Sequence, residues 1–196
     1  MVLRIYFLKE DKKINIALFG GSFDPPHIGH EMIVESALNK LNIDKLYVMP
    51  TYLNPFKESF HTPADIRYKW LKKLFKDLDK VEVSDFEIKQ KRAVATIETV
   101  EYFYKKHNID KFYLIIGDDN LENLHKWKEY ERLKELVTFV VATRYKKEYL
   151  KNLKILNISA NISSTKLREN LDTKYLPASI SKDIIKYYKE YNGQQD

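Results

Sequence analysis

A glycine-rich stretch, FGGSFDPPHIGH at residues 19–30, constrains the fold of this chain more than any other feature. It holds three of the five glycines and two of the five histidines among 196 residues. INIALF (14–19) before it is a short apolar run typical of a buried strand. HEMIVESALNKL after it places apolar residues on one helical face, and KLYVMP (45–50) is then a second strand. This order predicts a right-handed βαβ unit.

The same alternation of strand-like and helix-like segments continues along the chain. Further strands are predicted in VEVSDFEI, KFYLIIG, LVTFVVAT and LKILNI, and further helices in HTPADIRYKWLKKLF, ATIETVEYFYKKH, NLHKWKEYERL, SSTKLRENL and SISKDIIKYYKEY. Thr62 is the expected N-cap of the first of these helices, with Pro63 at its first position. The pattern predicts one α/β domain over residues 1–196, with a doubly wound, mostly parallel sheet. Residues 1–13 form an extension without an assigned role.

Composition excludes several classes of protein. The chain has no cysteine, which excludes a disulfide framework and thiolate chemistry. It has no apolar run near the ~20 residues of a membrane span, and its start lacks the features of a secretory signal, so we expect a cytoplasmic location. A net charge of +6 would suit a nucleic-acid partner, but the lysines alternate with acids along the predicted helices. We prefer a solvated surface that attracts phosphorylated small molecules.

Ligands of parallel α/β sheets bind beyond the carboxyl ends of the strands, and polar loops are predicted there at 20–30, 117–120 and 159–168. In the first loop, glycines let the backbone approach a ligand, and the next helix starts near Gly29 and His30 with exposed amide groups. The spacing matches neither a P-loop nor a dinucleotide fingerprint. His27 and His30 can both face an anion held there. A structural role is the alternative for either histidine alone, and the lack of a third ligand argues against a metal.

The third loop, NISSTKLREN, offers hydroxyls, amides and a guanidinium to the same region. Ser163, Ser164 and Thr165 can cap a helix and donate to an anion. Arg168 lies one turn after Ser164 on the same helical face and can reach a phosphate there. A plain capping box with Arg168 on a solvated face is the alternative. Together with the first loop, the segment predicts two helix starts that converge on one polyanion.

Both motifs resemble those of a known superfamily. G-x-F-x-P-x-H-x-G-H, from Gly21 to His30, matches the first signature of the nucleotidyltransferases that include class I aminoacyl-tRNA synthetases and small adenylyltransferases. I-S-S-T-x-x-R, from Ile162 to Arg168, matches the second. More narrowly, the chain resembles the bacterial nicotinate-nucleotide adenylyltransferases through NPFK, DFE, GDDNLENLHKW, VVATR, ISSTKLRE and YLPASI. The resemblance implies a Rossmann-like fold and adenylyl transfer from ATP to nicotinate mononucleotide, which yields deamido-NAD and pyrophosphate.

The resemblance also implies which residues bind ATP. His27, His30 and Arg168 would hold its phosphates and the charge that develops on pyrophosphate, and no base is needed because the attacking phosphate is already an anion. The other implied ATP-binding residues are Gly21, Ser22, Phe23, Gly29, Gly117, Asp119, Ser163, Ser164 and Thr165. Asp119 would bond the ribose hydroxyls, and a turn or helix cap at GDDN is the alternative. Mg²⁺ would arrive with the ATP phosphates, without a dedicated protein site.

For the mononucleotide, the resemblance implies three binding residues. Lys57 would meet its phosphate, Thr96 would lie near the pyridine carboxylate, and Trp127 would stack on the pyridine ring. A surface lysine and a core tryptophan are the alternatives for Lys57 and Trp127. The family often has Ser-Tyr-Thr before the central helix, whereas VAT stands here, and KQKR ending at Arg92 is more basic than usual. These departures leave the preference for the acid over the amide mononucleotide open.

Other functions have to be separated from this one. Adenylyl transfer to nicotinamide mononucleotide or to phosphopantetheine would use the same ATP site, although the phosphopantetheine enzymes carry Thr at the position of His27. A non-catalytic nucleotide sensor or an RNA-binding domain is the alternative from a different class, and no aromatic-basic RNA motif supports it. The expected partners are ATP and nicotinate mononucleotide, without nucleic acid or a membrane, and a homo-oligomer is left open.

Overall fold

Six parallel strands form the centre of the protein. In the computed structural model, which describes residues 12–55, 59–143 and 153–192, they are β1 (Ile14–Gly21), β2 (Lys45–Pro50), β3 (Val81–Val83), β4 (Ile109–Gly117), β5 (Thr138–Thr143) and β6 (Lys154–Asn157). Their order is β3-β2-β1-β4-β5-β6, and each neighbouring pair is parallel. The predicted doubly wound sheet is confirmed. The order of the strands reverses between β1 and β4, which is where such sheets bind ligands.

Helices cover both faces of this sheet. They are α1 (Ile28–Lys40), α2 (Ala64–Leu74), α3 (Phe86–Lys89), α4 (Thr96–Lys106), α5 (Tyr130–Leu136), α6 (Ser164–Asn170) and α7 (Ser181–Asn192), with short 3-10 helices at Asp118–Lys126 and Thr173–Tyr175. Among the described residues, no helix is long and apolar enough to cross a membrane.

Strand β1 is buried on both faces of the sheet. Ala17 and Phe19 pack in one apolar cluster with residues of α1, α2, α6 and α7, whereas Ile16 and Leu18 pack in a second cluster with residues of α4 and α5. A strand covered on both sides needs a continuous apolar run rather than alternation, and INIALF provides one. This packing fixes the carboxyl end of β1 and therefore the start of the first polar loop.

Two predicted elements differ from those observed. VEVSDFEI is not one strand, because β3 ends after three residues and α3 follows, where the buried Glu87 accepts a 2.7 Å hydrogen bond from the Thr99 hydroxyl. The helix expected in NLHKWKEYERL is divided by Glu129, which has a left-handed φ of 53°. Its first part belongs to the 3-10 helix and its second part to α5. The apolar pattern does not reveal this break because Leu124 and Leu133 are buried on either side of it.

The expected capping of α2 by Thr62 was also wrong. Pro63 occupies the N-cap position, and Thr62 is fully buried with its hydroxyl 3.0 Å from that of Tyr188. The N–H of Thr62 donates to the carboxylate of Asp24 at 3.3 Å. Thr62 therefore connects the start of α2 to α7 and to the first polar loop instead of capping a helix.

Candidate active site

A cavity of about 800 Å³ opens at the carboxyl ends of β1 and β4. Residues from all three polar loops line it, among them ten that the sequence assigned to ATP or to catalysis: Gly21, Ser22, His27, Gly29, His30, Gly117, Asp119, Ser163, Ser164 and Thr165. A second cavity of about 340 Å³ adjoins it, and Ser22, Asn54 and Thr165 line both. Arg168 lines the second cavity. The three loops thus meet in one place, with Arg168 at its edge.

The two predicted histidines stand at the start of α1. His27 is the N-cap residue and is only 5% exposed, and the two imidazole rings stack with centroids 3.7 Å apart. The backbone N–H of His27 donates to Nδ1 of the His30 ring at 3.1 Å. Because an accepting Nδ1 carries no proton, the neutral His30 ring has its N–H at Nε2. The fold thereby sets His30 as a hydrogen-bond donor through Nε2.

Gly21 and Gly29 make room for side chains of the first loop. A Cβ on Gly29 would lie 3.0 Å from two atoms of the His27 ring, and a Cβ on Gly21 would lie 3.2 Å from the Phe23 ring. No glycine in the described ranges has a positive φ, whereas Phe23 has one of 50°. Although Phe23 was expected among the ATP contacts, its ring is buried and meets His30 edge-on with centroids 4.8 Å apart. The side chain of Phe23 therefore supports His30 from behind the cavity.

The second motif is bonded directly to the first. Helix α6 has seven residues and is capped by the side chain of its N-cap serine. The hydroxyl of Ser164 donates to the carbonyl of Pro25 at 2.9 Å. The guanidinium of Arg168 donates to the carbonyl of Asp24 and, at 3.3 Å, to the hydroxyl of Thr165. These bonds fix the start of α6 against the loop that carries the histidine pair.

The middle loop leads from β4 into the first 3-10 helix. Asp119 lines the larger cavity, and its carboxylate accepts from the Asn120 amide at 3.1 Å. A Cβ on Gly117 would collide with this carboxylate, so the glycine lets Asp119 fold back over the strand end. The neighbouring Asp118 accepts from the buried Thr143 hydroxyl at 2.9 Å, which ties the loop to β5. Asp118 also lines the larger cavity with its carboxylate bonded to Thr143, and Asp119 stays the candidate ligand.

Of the residues predicted for the mononucleotide, Thr96 and Trp127 line neither of these two cavities. Lys57 lies outside the described residues. Thr96 is the first residue of α4, and Trp127 follows the 3-10 helix, partly buried against the core. Lys128, next to Trp127, approaches Glu98 in the first turn of α4 at 3.9 Å. This contact places the segments that carry Thr96 and Trp127 next to each other, although neither residue lines either of the two cavities.

Three further contacts lie near the start of α4. Leu53, in the loop after β2, forms an isolated parallel bridge with Ala93, in the loop before α4. Arg92 and Glu98 form an ion pair at 2.6 Å, and Glu98 also accepts from the N–H of Ala95 at 3.3 Å. The hydrogen bond from Arg92 lowers the pKa of Glu98. The unusually basic segment noted in the sequence is therefore bonded to an acid at the start of α4.

Sequence reasoning missed a buried polar cluster beneath the first loop, which consists of Asp24, Thr62, Arg67 and Tyr188. The Tyr188 hydroxyl donates to the carboxylate of Asp24 at 3.3 Å. Burial raises the pKa of Tyr188 and lowers that of Arg67. One signal was available in the sequence, because Arg67 falls on the apolar face of α2 between the buried Ala64 and Leu71. A charged residue at such a position requires buried partners.

A parallel sheet with two motif-bearing loops at its switch point defines a Rossmann-like nucleotide-binding protein. Comparison with known proteins narrows this class, since residues 18–170 match the family model described as cytidylyltransferase-like. A Campylobacter fetus protein described as a probable nicotinate-nucleotide adenylyltransferase is 52% identical over 181 residues, covering 92% of this chain and 100% of that protein. A Sulfurimonas denitrificans protein with the same description is 51% identical over 175 residues, covering 89% and 95%. The chain belongs to the nicotinate-nucleotide adenylyltransferase family.

Solved structures resemble the fold. Plasmodium falciparum nicotinic acid mononucleotide adenylyltransferase complexed with NaAD has a TM-score of 0.74 at 24% identity, covering 91% of this chain and 98% of that one. The same protein complexed with APC has a TM-score of 0.69 at 23% identity, covering 90% and 98%. At this level of identity, the likeness supports the Rossmann-like nucleotidyltransferase fold.

Proposed function

We propose that this chain transfers the adenylyl group of ATP to nicotinate mononucleotide, with deamido-NAD and pyrophosphate as products. The observation that carries the proposal is the junction of the two motifs. Ser164 and Arg168 bond carbonyls of the first loop, so α6 is fixed beside the histidine pair. The relatives described as probable nicotinate-nucleotide adenylyltransferases support the choice of acceptor.

This reaction depends on positioning and charge stabilisation. The 5′-phosphate of the mononucleotide attacks the α-phosphorus of ATP, the bond between that phosphorus and the bridging oxygen breaks, and pyrophosphate leaves with the electron pair. No base is required because the nucleophile is already an anion. His30 would donate to the ATP phosphates through Nε2, consistent with the bond at its Nδ1. His27 and Arg168 would stabilise the charge that develops on the leaving group.

The remaining predicted residues would bind the two nucleotides. Asp119 would bond the ribose hydroxyls of ATP, Lys57 the phosphate of the acceptor, and Thr96 and Trp127 its pyridine ring. Within the described ranges, no group of three or more His, Cys, Asp or Glu side chains is placed to hold a metal. We assign Mg²⁺ to the ATP phosphates and water, its usual ligands in such sites. The cytoplasmic location and the single domain over residues 1–196 stay predictions.

One assay tests the proposal. Purified protein receives Mg²⁺ and ATP with nicotinate mononucleotide, nicotinamide mononucleotide, phosphopantetheine or no acceptor, and pyrophosphate and the dinucleotide product are measured. We expect both products with nicotinate mononucleotide, slower turnover with the amide and none with the other two. Faster turnover of the amide would change the assigned acceptor. No product with any acceptor would favour a non-catalytic nucleotide sensor and overturn the enzyme assignment.

A further inference from the structure

Arg67 is a fully buried arginine that none of the proposed catalytic steps uses. It projects from α2, and its side chain is 1% exposed. Nε donates to the carbonyl of Thr62 at 2.9 Å, and one terminal nitrogen donates to the carbonyl of Ser22. The other terminal nitrogen donates to the carbonyls of Thr51 at 2.8 Å and Tyr52 at 3.2 Å. Four backbone carbonyls from three separate segments thus converge on a single guanidinium.

Two of these segments are the loops assigned to the two substrates. Ser22 belongs to the first polar loop and lines both cavities. Thr51 and Tyr52 begin the loop after β2, which leads towards Lys57. The next residue, Leu53, forms the bridge to Ala93 and so connects this loop to the start of α4. Arg67 therefore bonds the ATP loop and the acceptor loop together from beneath, beside a direct backbone bond from the N–H of Thr51 to the carbonyl of Gly21 at 3.0 Å.

The guanidinium is suited to this connection by its shape. Its five N–H donors lie in one plane in fixed directions, so each bonded carbonyl is set relative to the others. A lysine ammonium would keep the charge but offers one rotatable point of donation, which cannot span carbonyls on both loops. The backbone of both loops would then shift by a fraction of an ångström while each loop kept its own side chains.

We propose that Arg67 is a positioning residue that sets the spacing between the loop holding the ATP phosphates and the loop holding the mononucleotide phosphate. This inference rests on the proposed function. Attack in line requires the acceptor phosphate and the α-phosphorus to be held a little over 3 Å apart, and a misplacement of about 1 Å costs on the order of 100-fold in rate. Although Arg67 borders the second cavity, its guanidinium is bonded to the carbonyls of Ser22, Thr51 and Tyr52, and we assign its effect on that separation to these bonds.

Arg67→Lys tests the proposal through a separation of binding from turnover. We expect kcat to fall roughly 10- to 100-fold, because the relative position of the substrates changes. The Kd of each substrate, measured alone by calorimetry, should stay within about threefold, because each loop keeps its own ligands. Urea unfolding reports the loss of stability for the same preparations.

Tyr188→Phe is the matched control. It removes two buried hydrogen bonds of the same cluster, the one that the Tyr188 hydroxyl donates to Asp24 and the one that it accepts from the Thr62 hydroxyl, but leaves the carbonyls of Ser22, Thr51 and Tyr52 bonded to Arg67. We expect Tyr188→Phe to lose stability with a kcat within about twofold of wild type. If Arg67→Lys is unfolded at 25 °C, all three proteins are measured at 10 °C in a stabilising osmolyte.

The outcomes separate the two proposals. A wild-type protein that releases no pyrophosphate overturns the proposed function, and the inference with it. An active wild type with an Arg67→Lys variant of near-normal kcat overturns the inference alone. The inference is also overturned if, in Arg67→Lys, the affinity for either substrate alone falls in proportion to kcat. It is overturned as well if Tyr188→Phe loses as much activity as Arg67→Lys at the same loss of stability.

Discussion

The phosphate side of the site, residues 20–30 and 163–168, is held by buried contacts, whereas the acceptor side, residues 92–98 and 127–128, is held by ion pairs in contact with water. On the phosphate side, His27 is almost fully buried and its N–H is bonded to the His30 ring. On the acceptor side, Arg92 and Lys128 are 52% and 61% exposed, and both pair with Glu98.

Because of this difference, we expect the two sides to differ in the substitutions that they tolerate. A buried group that loses its hydrogen-bond partner costs about 1–3 kcal/mol, whereas an exposed ion pair contributes about 0–1 kcal/mol. Changes on the phosphate side should therefore disturb the reaction itself, and changes on the acceptor side should adjust the choice of acceptor. The replacement of the usual Ser-Tyr-Thr by VAT lies between the ion-paired Arg92 and Glu98, but its first residue, Val94, is buried.

His30→Asn is the strongest test of the phosphate side. The Asn side chain can accept the N–H of His27 as Nδ1 does, but it has no donor at the position of Nε2. We expect kcat to fall by at least ~100-fold, about 2.7 kcal/mol, which is typical for the loss of one preorganised donor. Single-turnover rates at saturating substrate concentrations measure this loss.

His107→Asn is the control for His30→Asn. His107 follows α4, and its Nε2 lies 3.0 Å from the Tyr47 hydroxyl, a contact within the core rather than at either cavity. We expect its kcat to stay near that of wild type. A folded His30→Asn enzyme with a near-normal rate would show that Nε2 is not a catalytic donor and that the phosphate side tolerates change.

Glu87→Gln tests the one strongly buried acid beneath the acceptor side. Burial, chiefly, raises the pKa of Glu87 from 4.5 to about 7. Well below pH 4.5 the carboxyl is protonated in the folded and unfolded states alike. As the pH rises to 7, only the unfolded state ionises freely, so the folded state loses about 2 kcal/mol between pH 5 and pH 7. Glu87→Gln removes this loss.

Urea unfolding at pH 5 and pH 7 measures the effect. We expect the free energy of unfolding of the wild type to fall by about 2 kcal/mol more than that of Glu87→Gln across this interval. Glu135→Gln, at an exposed position of α5, is the control for removing one negative charge. Parallel pH profiles for the wild type and Glu87→Gln would mean that this acid is not desolvated, and that the acceptor side has no buried polar support.

The phosphate side was more predictable from the sequence because its residues are close in the chain. His27, Gly29 and His30 lie within one turn of α1, so a local motif reveals them. The partners of Glu98 come from positions 92 and 128, and those of Arg67 from two loops, at positions 22, 51, 52 and 62, so only the folded chain brings them together. The order of strands and helices was predictable from the apolar runs, but the division at Glu129 depends on one backbone angle.

Gly29→Ala tests the close packing of α1 against His27 on the phosphate side. The added Cβ would lie 3.0 Å from the buried His27 ring, which must move. We expect kcat/KM for ATP to fall about 10-fold, equivalent to about 1.4 kcal/mol. Gly20→Ala is the matched control, because the nearest atom to its new Cβ is a carbonyl oxygen 4.0 Å away. Equal losses in both variants would contradict the packing role assigned to Gly29.

Lys128→Ala and Arg92→Ala give the smallest expected effect and test the acceptor side. The acid and amide mononucleotides differ by one negative charge at the pyridine ring, and these two exposed cations lie beside the predicted ring site at Thr96 and Trp127. We expect the ratio of kcat/KM for the acid over the amide to fall roughly two- to fivefold in each variant, the size of an exposed charge interaction.

Lys126→Ala is the control for Lys128→Ala, because the two lysines flank Trp127 and carry the same charge. Lys126 bonds the side chain of Asn123 at 2.9 Å instead of the acid at the start of α4. Its removal should leave the acid-to-amide ratio within about 1.5-fold of wild type. Because exposed charges are screened by salt, the difference between the two variants should shrink at high ionic strength. If the acid-to-amide ratio falls equally in Lys126→Ala and Lys128→Ala, the preference for the acid depends on net charge alone. The acceptor side would then have no specific role in it.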